Sequence, residues 1–365
     1  MPKVAPPSPS GPELTGRLRG VAASFAAAED ACGGSSSDWY EIAGGLVRLR
    51  FASPALRERL TPAFSHLAVH PDTTPAEQAL TVNLWDSAST GVDPPPRPPV
   101  PEEYAAGALF HFSEPPLRAA YQPGLESLSI FDSEAGVAWH WVSDAFDQSY
   151  WEAASPIRQI LSWWLDLRGY LQVHGGSVGT PDGGVLLVGK GGSGKSTVAL
   201  SSLGSTLLYA GDDYVAVRVE PSPRIESLYS SGKLEPADVH GRFHHLLPLL
   251  TNGDRLETEK AVLYAHDHFP SQTTRGFPLR AVLVPRVRPN QRESRIVDVS
   301  RAAAFAALGP STIIQLHTAG ATAFSTMSSL VQRVSCYGLE VGTDVGAIPG
   351  TIAEFLSRRE PPSDG

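Results

Sequence analysis

The apolar run Val185-Leu186-Leu187-Val188 leads straight into Gly189-Lys190-Gly191-Gly192-Ser193-Gly194-Lys195-Ser196, and a segment with helical apolar spacing follows to about residue 203. Every fixed position of G-x-x-x-x-G-K-[ST] is met, with a strand before it and a helix after it, which fixes a mixed α/β order for this part of the chain. In such a loop the glycines let backbone N–H groups curl around phosphate oxygens, and the positive end of the following helix faces the same anion. Lys195 is then placed to reach the β and γ phosphates, and the Ser196 hydroxyl to complete the shell of a magnesium ion. The expected nucleotide-holding stretch is Gly189, Lys190, Gly191, Gly192, Ser193, Gly194, Lys195, Ser196 and Thr197, built to hold a polyphosphate with Mg2+. A tight glycine turn bearing a solvated lysine is the alternative. Its weakness is that lysine is scarce here: only Lys3, Lys190, Lys195, Lys233 and Lys260 occur, and the remaining basic charge is arginine.

Downstream of the loop helix, a strand at 206–210 ends on Gly211-Asp212-Asp213. The strand beside a phosphate loop delivers an acid to the metal, so one carboxylate is expected there and two carry more information. Consecutive strand residues point to opposite faces. One carboxylate can therefore address the metal while the other takes the proton of an acceptor hydroxyl, and the residues alone leave open which does which. His174, just before the hairpin that enters the loop, is a candidate active-site histidine; a satisfied structural histidine is the competing reading.

Composition sets the frame around this motif. The net charge of −9 argues against a surface that neutralises the phosphates of nucleic acid or of anionic lipid. The two cysteines, Cys32 and Cys336, are far apart and in no metal-ligand spacing. With no run of about 18 apolar residues and no apolar segment in the Pro- and Ser-rich start, the expectation is a cytoplasmic protein with neither a nucleic-acid nor a membrane partner. Residues 1–37 read as a flexible lead, with a short helix at 21–28 as its one structured piece. Residues 38–150 read as a smaller α+β N-terminal domain, a possible holder of substrate or partner. It has strands at 46–51 and 80–85, a helix at 54–67, an extended proline run at 94–99, and a hairpin of 128–131 with 137–142. Residues 151–365 read as the catalytic domain. It opens on a helix capped by Ser155 with Pro156 at its first position, and it continues through strands at 171–178, 185–188, 206–210, 214–219 and 281–287 and helices at 195–203, 321–334 and 348–357.

His174, the glycine loop and Asp212-Asp213, in that order and spacing, resemble the C-terminal catalytic domain of HPr kinase/phosphorylase and its relatives, the HPr-kinase-like serine kinases. The resemblance is close over about 171–219. The stretches at 227–234, 277–282 and 336–342 are similar to a diverged bacterial branch that carries a different N-terminal domain. The resemblance implies a fold related to phosphoenolpyruvate carboxykinase, ATP with magnesium, and phosphoryl transfer to a hydroxyl. Carried over by position, Lys195 and Ser196 hold the phosphates and metal, Asp212 resembles the general base, Asp213 its metal-side or supporting partner, and His174 the active-site histidine. The Glu- and Arg-containing signatures that the HPr enzymes carry after the aspartates are not recognisable, so the resemblance extends neither to phosphorylase activity nor to HPr as acceptor. Self-association into a homo-oligomer stays an open expectation.

Weaker signals point elsewhere or nowhere. Gly175-Gly176-Ser177-Val178-Gly179 fits G-x-S-x-G, but a nucleophile elbow runs from strand into helix, and here a turn and a second strand follow. His240, His244, His245, His266 and His268 lack accompanying ligands at metal spacing. Lys233 suits a phosphate or acceptor contact as well as a solvated loop, and Arg275 and Arg280 suit neutralisation of a moving phosphoryl group. The guanine reader Asn-Lys-x-Asp and the Leu-Ser-Gly-Gly signature are both missing from the sequence. The leading expectation is a kinase acting on a hydroxyl of a peptide, protein or small molecule. The rivals are a nucleotide-dependent switch that phosphorylates nothing and a kinase that tailors a ribosomally made peptide.

Overall fold

The computed structural model describes residues 11–70, 79–97, 109–315 and 321–358. They form a mixed α/β structure of several sheets and helices, gathered into two compact units. The first unit takes the described residues of Met1–Thr61, Ala68–Ser149 and Ile157–Trp164, and the second those of Pro62–Leu67, Tyr150–Pro156 and Leu165–Gly365. The sequence suggests one boundary near residue 150, whereas the chain passes between the units several times. None of the helices among the described residues is long and apolar enough to cross a membrane.

In the first unit, strands β1 (Ser36–Ile42), β2 (Gly45–Phe51), β3 (Leu80–Asp86), β4 (Phe110–Glu114), β5 (Leu117–Gln122), β6 (Ser127–Asp132) and β7 (Val137–Val142) form one sheet in the order β1-β2-β3-β7-β6-β5-β4. The expected hairpin of 128–131 and 137–142 is β6 with β7, paired from Ser127↔Val142 to Asp132↔Val137. The flexible lead expected over residues 1–37 is corrected by a 21-residue helix, Gly11–Ala31; residues 1–10 lie outside the described part. Val21, Phe25 and Ala28 are spaced to share one face of that helix, and all three are buried in a core with Trp85, Leu128 and Trp141. The expected helix at 54–67 is α-helical only over Pro54–Leu60, where Ser53 accepts from the Leu56 N–H at 3.1 Å, and Thr61–Leu67 is a 3-10 helix. Pro94 to Arg97 carry no helix or strand, and Pro98 and Pro99 lie outside the described residues.

The second unit is built on strands β8 (Leu171–His174), β9 (Gly176–Thr180), β10 (Gly183–Leu187), β11 (Leu208–Gly211), β12 (Tyr214–Arg218), β13 (Arg224–Ser227), β14 (Ser231–Leu234), β15 (Ala261–Tyr264), β16 (Gly276–Val287), β17 (Arg295–Asp298) and β18 (Ser335–Val341). Its main sheet runs β11-β9-β10-β16-β13-β12-β8, with β18 parallel to β16 and β17 antiparallel to β18; β14 and β15 pair separately. Parallel strands buried on both faces need apolar residues pointing both ways. In β10, Val185 and Leu187 enter a core with Val198, Leu200 and Ile352, while Leu186, together with Val188 just beyond the strand, enters a second core with Leu308, Met327 and Leu330. Helix Lys195–Ser201 and the closing helix Ile348–Ser357 therefore pack on one face, and helices Arg301–Gln315 and Ala321–Arg333 on the other.

Two differences from the sequence reading bear on the site. The single strand expected at 171–178 breaks at Gly175 into β8 and β9, which lie far apart in the sheet order. The sheet curls so that its ends meet at this break, where the Gly175 N–H donates to the Asp213 carbonyl at 3.0 Å. The second difference concerns the helix expected to start at Ser155-Pro156. It begins at Arg158, because Ile157 takes a left-handed φ of 49° that ends one segment before the next begins.

Candidate functional site

Three chain breaks converge in the second unit: the end of β10, the break between β8 and β9, and the two-residue link from β11 to β12. The first carries the glycine loop. Gly189, Gly192 and Gly194 all have positive φ (155°, 73° and 105°), which side chains other than glycine rarely adopt and which turns the loop back on itself. Lys195, the first residue of the following helix, is buried, and its ammonium donates to the carbonyls of Gly189 at 2.7 Å and Lys190 at 3.4 Å. Burial lowers its proton affinity, while the nearby negative charges of Asp212 and Asp213 hold it up.

The second break presents His174 and the third presents Asp212 and Asp213. β8 and β12 pair antiparallel with His174 opposite Tyr214, so the histidine and the second aspartate come to one end of the same ladder. His174 Nε2 lies 2.9 Å from Asp213 Oδ1, its ring is 5.4 Å from the Tyr214 ring, and its Nδ1 is buried with no hydrogen-bond partner. The other oxygen of Asp213, Oδ2, accepts from the Lys233 ammonium at 2.7 Å. Burial alone would raise this carboxyl, but the Lys233 charge and the His174 hydrogen bond more than offset it and hold it well below the usual carboxylate range.

Asp212 is almost wholly buried, at 2% exposed. Its Oδ2 accepts from the Lys233 backbone N–H at 2.9 Å, and its Oδ1 has no hydrogen-bond partner. Burial, reinforced by the charge on Asp213, pushes Asp212 up to about 6, with the Lys233 amide and the Ser196 hydroxyl pulling the other way. Ser196 is thus close enough to Asp212 to favour its ionised form, which ties the loop to the aspartate pair.

Lys195, Ser196, Asp212, Asp213 and His174 therefore lie in one neighbourhood. Arg280 is engaged elsewhere. The Arg280 guanidinium donates to the Asp182 carbonyl at 2.6 Å and 2.9 Å in the β9–β10 turn, and Arg275 is among the charges acting on His66. His66 accepts or donates at 2.7 Å with the Ser227 hydroxyl, beside His266. Trp163 and Trp164 are buried packing residues.

No protein-family model matches this chain, and no curated protein matches it. Among solved structures it is similar to the structure of the Hpr(Ser) kinase/phosphatase from Coxiella burnetii, at 10% identity and a TM-score of 0.28, over 51% of this chain and 93% of that one.

Two residues of the site have roles that their local sequence does not reveal. Ser155 has the look of an N-cap, yet its hydroxyl accepts from the Lys233 ammonium at 2.8 Å. Lys233 sits in a serine-rich stretch that reads equally well as a solvated loop, but its side chain is only 10% exposed and touches Asp213. The available signal was its rarity: it is one of five lysines in a chain that otherwise uses arginine.

Proposed function

We propose that this chain is an ATP-dependent kinase that transfers the γ-phosphoryl group to a serine or other alcohol hydroxyl of a peptide, protein or small molecule. The observation that carries the reading is the contrast within the aspartate pair beside a lysine-bearing glycine loop: one carboxylate is anchored and ionised, the other is buried, raised towards neutrality and has a free oxygen. A switch protein needs only one acid near the metal, whereas a transferase also needs a group for the acceptor's proton.

Magnesium and ATP belong to this reading. The residues suit a hard cation, since the Ser196 hydroxyl stands beside the buried Asp212-Asp213 pair, and Ser196 would hold the ion while Asp212 Oδ1, which has no partner, stays open to the acceptor. When bound, magnesium supplies charge neutralisation on the phosphates. The loop from Gly189 to Thr197 holds the phosphate chain. Lys195, which rests on neutral carbonyls, exchanges them for phosphate oxygens at little cost. Asp213, with both oxygens engaged by His174 and Lys233, supports the site rather than ligating directly. In transfer, the acceptor oxygen bonds to the γ phosphorus, the bond from that phosphorus to the β–γ bridging oxygen breaks, ADP leaves, and the hydroxyl proton passes to Asp212. Positioning and electrostatics supply most of the rate, and the base contributes about 10²–10⁴-fold.

The test is calorimetric titration with ATP and magnesium, followed by a search for radiolabelled product when γ-labelled ATP and a cell extract are added. Binding together with a labelled hydroxyl product is expected. Binding without any product supports the switch instead, and failure to take up adenine nucleotide overturns both.

A further inference from the structure

We infer that Lys233 is a positioning residue for phosphoryl transfer: clamped by Ser155, it fixes the aspartate pair so that a single carboxylate oxygen is left open to the acceptor. This rests on the kinase reading above and assigns a role that the glycine-loop motif does not contain.

The residue is seated with little freedom. It lies in β14, between Gly232 and Leu234, opposite Val262 of β15. Two residues earlier, Ser231 is held twice: its carbonyl accepts from the Tyr209 hydroxyl at 2.8 Å, and its own hydroxyl donates to the Ala154 carbonyl at 2.6 Å. Gly232 allows β14 to press against the loop helix, since a Cβ there would meet Leu200 Cδ2 at 2.3 Å. The strand that carries Lys233 is thus packed on the helix that carries Lys195 and Ser196.

From this seat Lys233 makes three contacts at the site. Its backbone N–H donates to Asp212 Oδ2 at 2.9 Å, and its ammonium donates to Asp213 Oδ2 at 2.7 Å and to Ser155 Oγ at 2.8 Å. With His174 on Asp213 Oδ1, three of the four oxygens of the pair are occupied, and Asp212 Oδ1 is the one without a partner. The two lysines of the site differ in what they would surrender to a phosphate. Lys195 is bonded to two neutral carbonyls. Lys233 is bonded to a carboxylate in a poorly hydrated place, and removing one partner from such a pair leaves an uncompensated charge. Lys195 is therefore free to follow the nucleotide, while Lys233 stays with the acids.

The experiment compares wild type with K233M, K233R and S155A, using two readouts and a thermal melt to verify folding. One readout is the affinity for a fluorescent ATP analogue with magnesium. The other is the rate of ATP hydrolysis, in which water stands in for the acceptor. The expected result for K233M is a hydrolysis rate about 100-fold lower, as for a misplaced reacting group, with the nucleotide dissociation constant changed less than about threefold. K233R is expected to recover at least about a tenth of the wild-type rate, and S155A to lose about 10-fold, as for an outer partner that orients an inner one. If K233M does not fold, K233R and S155A decide by the same two readouts. Nucleotide affinity weakened tenfold or more would make Lys233 a phosphate ligand, and unchanged hydrolysis would make the clamp idle; either overturns the inference alone. A wild-type protein that neither binds nor hydrolyses ATP overturns the kinase reading, and this inference falls with it.

Discussion

Asp212 and Asp213 are adjacent in the chain yet oppositely poised: Asp212 is raised to about 6, and Asp213 is held far down by Lys233 and His174. The two effects are linked, because the charge secured on Asp213 is itself one of the causes that raise Asp212. In the two-residue link between β11 and β12 the neighbours meet different partners, so one dipeptide supplies both an anchored anion and a carboxylate able to take a proton near neutrality.

The two Asn substitutions are therefore expected to separate. Asp212→Asn removes a buried charge that has only one firm hydrogen bond, so melting temperature is retained or raised while phosphoryl transfer falls by about 10²–10⁴-fold and nucleotide still binds. Asp213→Asn leaves the Lys233 ammonium without its anion and costs about 3 kcal/mol of stability. Urea unfolding of the two variants measures the difference, and equal midpoints would show that the pair is not asymmetric.

The rate in wild-type protein is expected to rise with pH through about 6, because Asp212 must be ionised to accept a proton. Its stability contribution runs the other way. A carboxyl raised from 3.8 to about 6 in the folded state binds its proton more tightly there than when unfolded, so ionising it between those values costs stability as pH rises. A pH–rate profile of ATP hydrolysis checks the first statement; a rate flat from pH 5 to 8 would remove Asp212 as the proton acceptor.

Much of this site can be read before folding. The glycine loop, Asp212-Asp213 and His174 carry their spacing in the chain, and the strands and helices around them announce themselves by apolar period. What stays hidden depends on tertiary partners. Ser155 before Pro156 satisfies every local rule for a helix start, but Ile157 breaks the helix and the hydroxyl is used by a lysine 78 residues away. Lys233 has no local marker of burial, since its partner Asp213 reaches it only after β14 docks on the loop helix. The helix at Gly11–Ala31 is hidden for another reason: its few large apolar residues look too sparse to pack until Trp85 and Trp141 provide the other side.

That N-terminal helix is expected to be an integral part of its unit. Phe25 is 4% exposed and meets the Trp85 ring edge-on at 5.7 Å, and Arg50 stacks over the Phe25 ring while pairing with Glu29 on the same helix. Phe25→Ala is expected to cost about 3 kcal/mol through lost burial and the cavity left behind. Urea unfolding followed by tryptophan emission reports it directly, and a loss below about 1 kcal/mol would mean that the helix only rests on the sheet.

Gly232 offers the sharpest link between packing and chemistry. A methyl group at this position would lie 2.3 Å from Leu200 Cδ2 and 3.4 Å from Cγ, and Leu200 is fully buried among Val198, Leu263 and Ile352, with little room to give way. Overpacking of this kind costs about 1–3 kcal/mol, and it acts by moving β14 off the loop helix. Because Lys233 follows directly, its amide and ammonium shift relative to Asp212 and Asp213, so Gly232→Ala is expected to lower ATP hydrolysis by about 10-fold or more as well as the melting temperature. Leu200→Ala, combined with Gly232→Ala, makes room for the added methyl and should restore part of the rate despite the core it empties. A double variant slower than Gly232→Ala alone would show that the methyl acts on the site by some route other than Leu200.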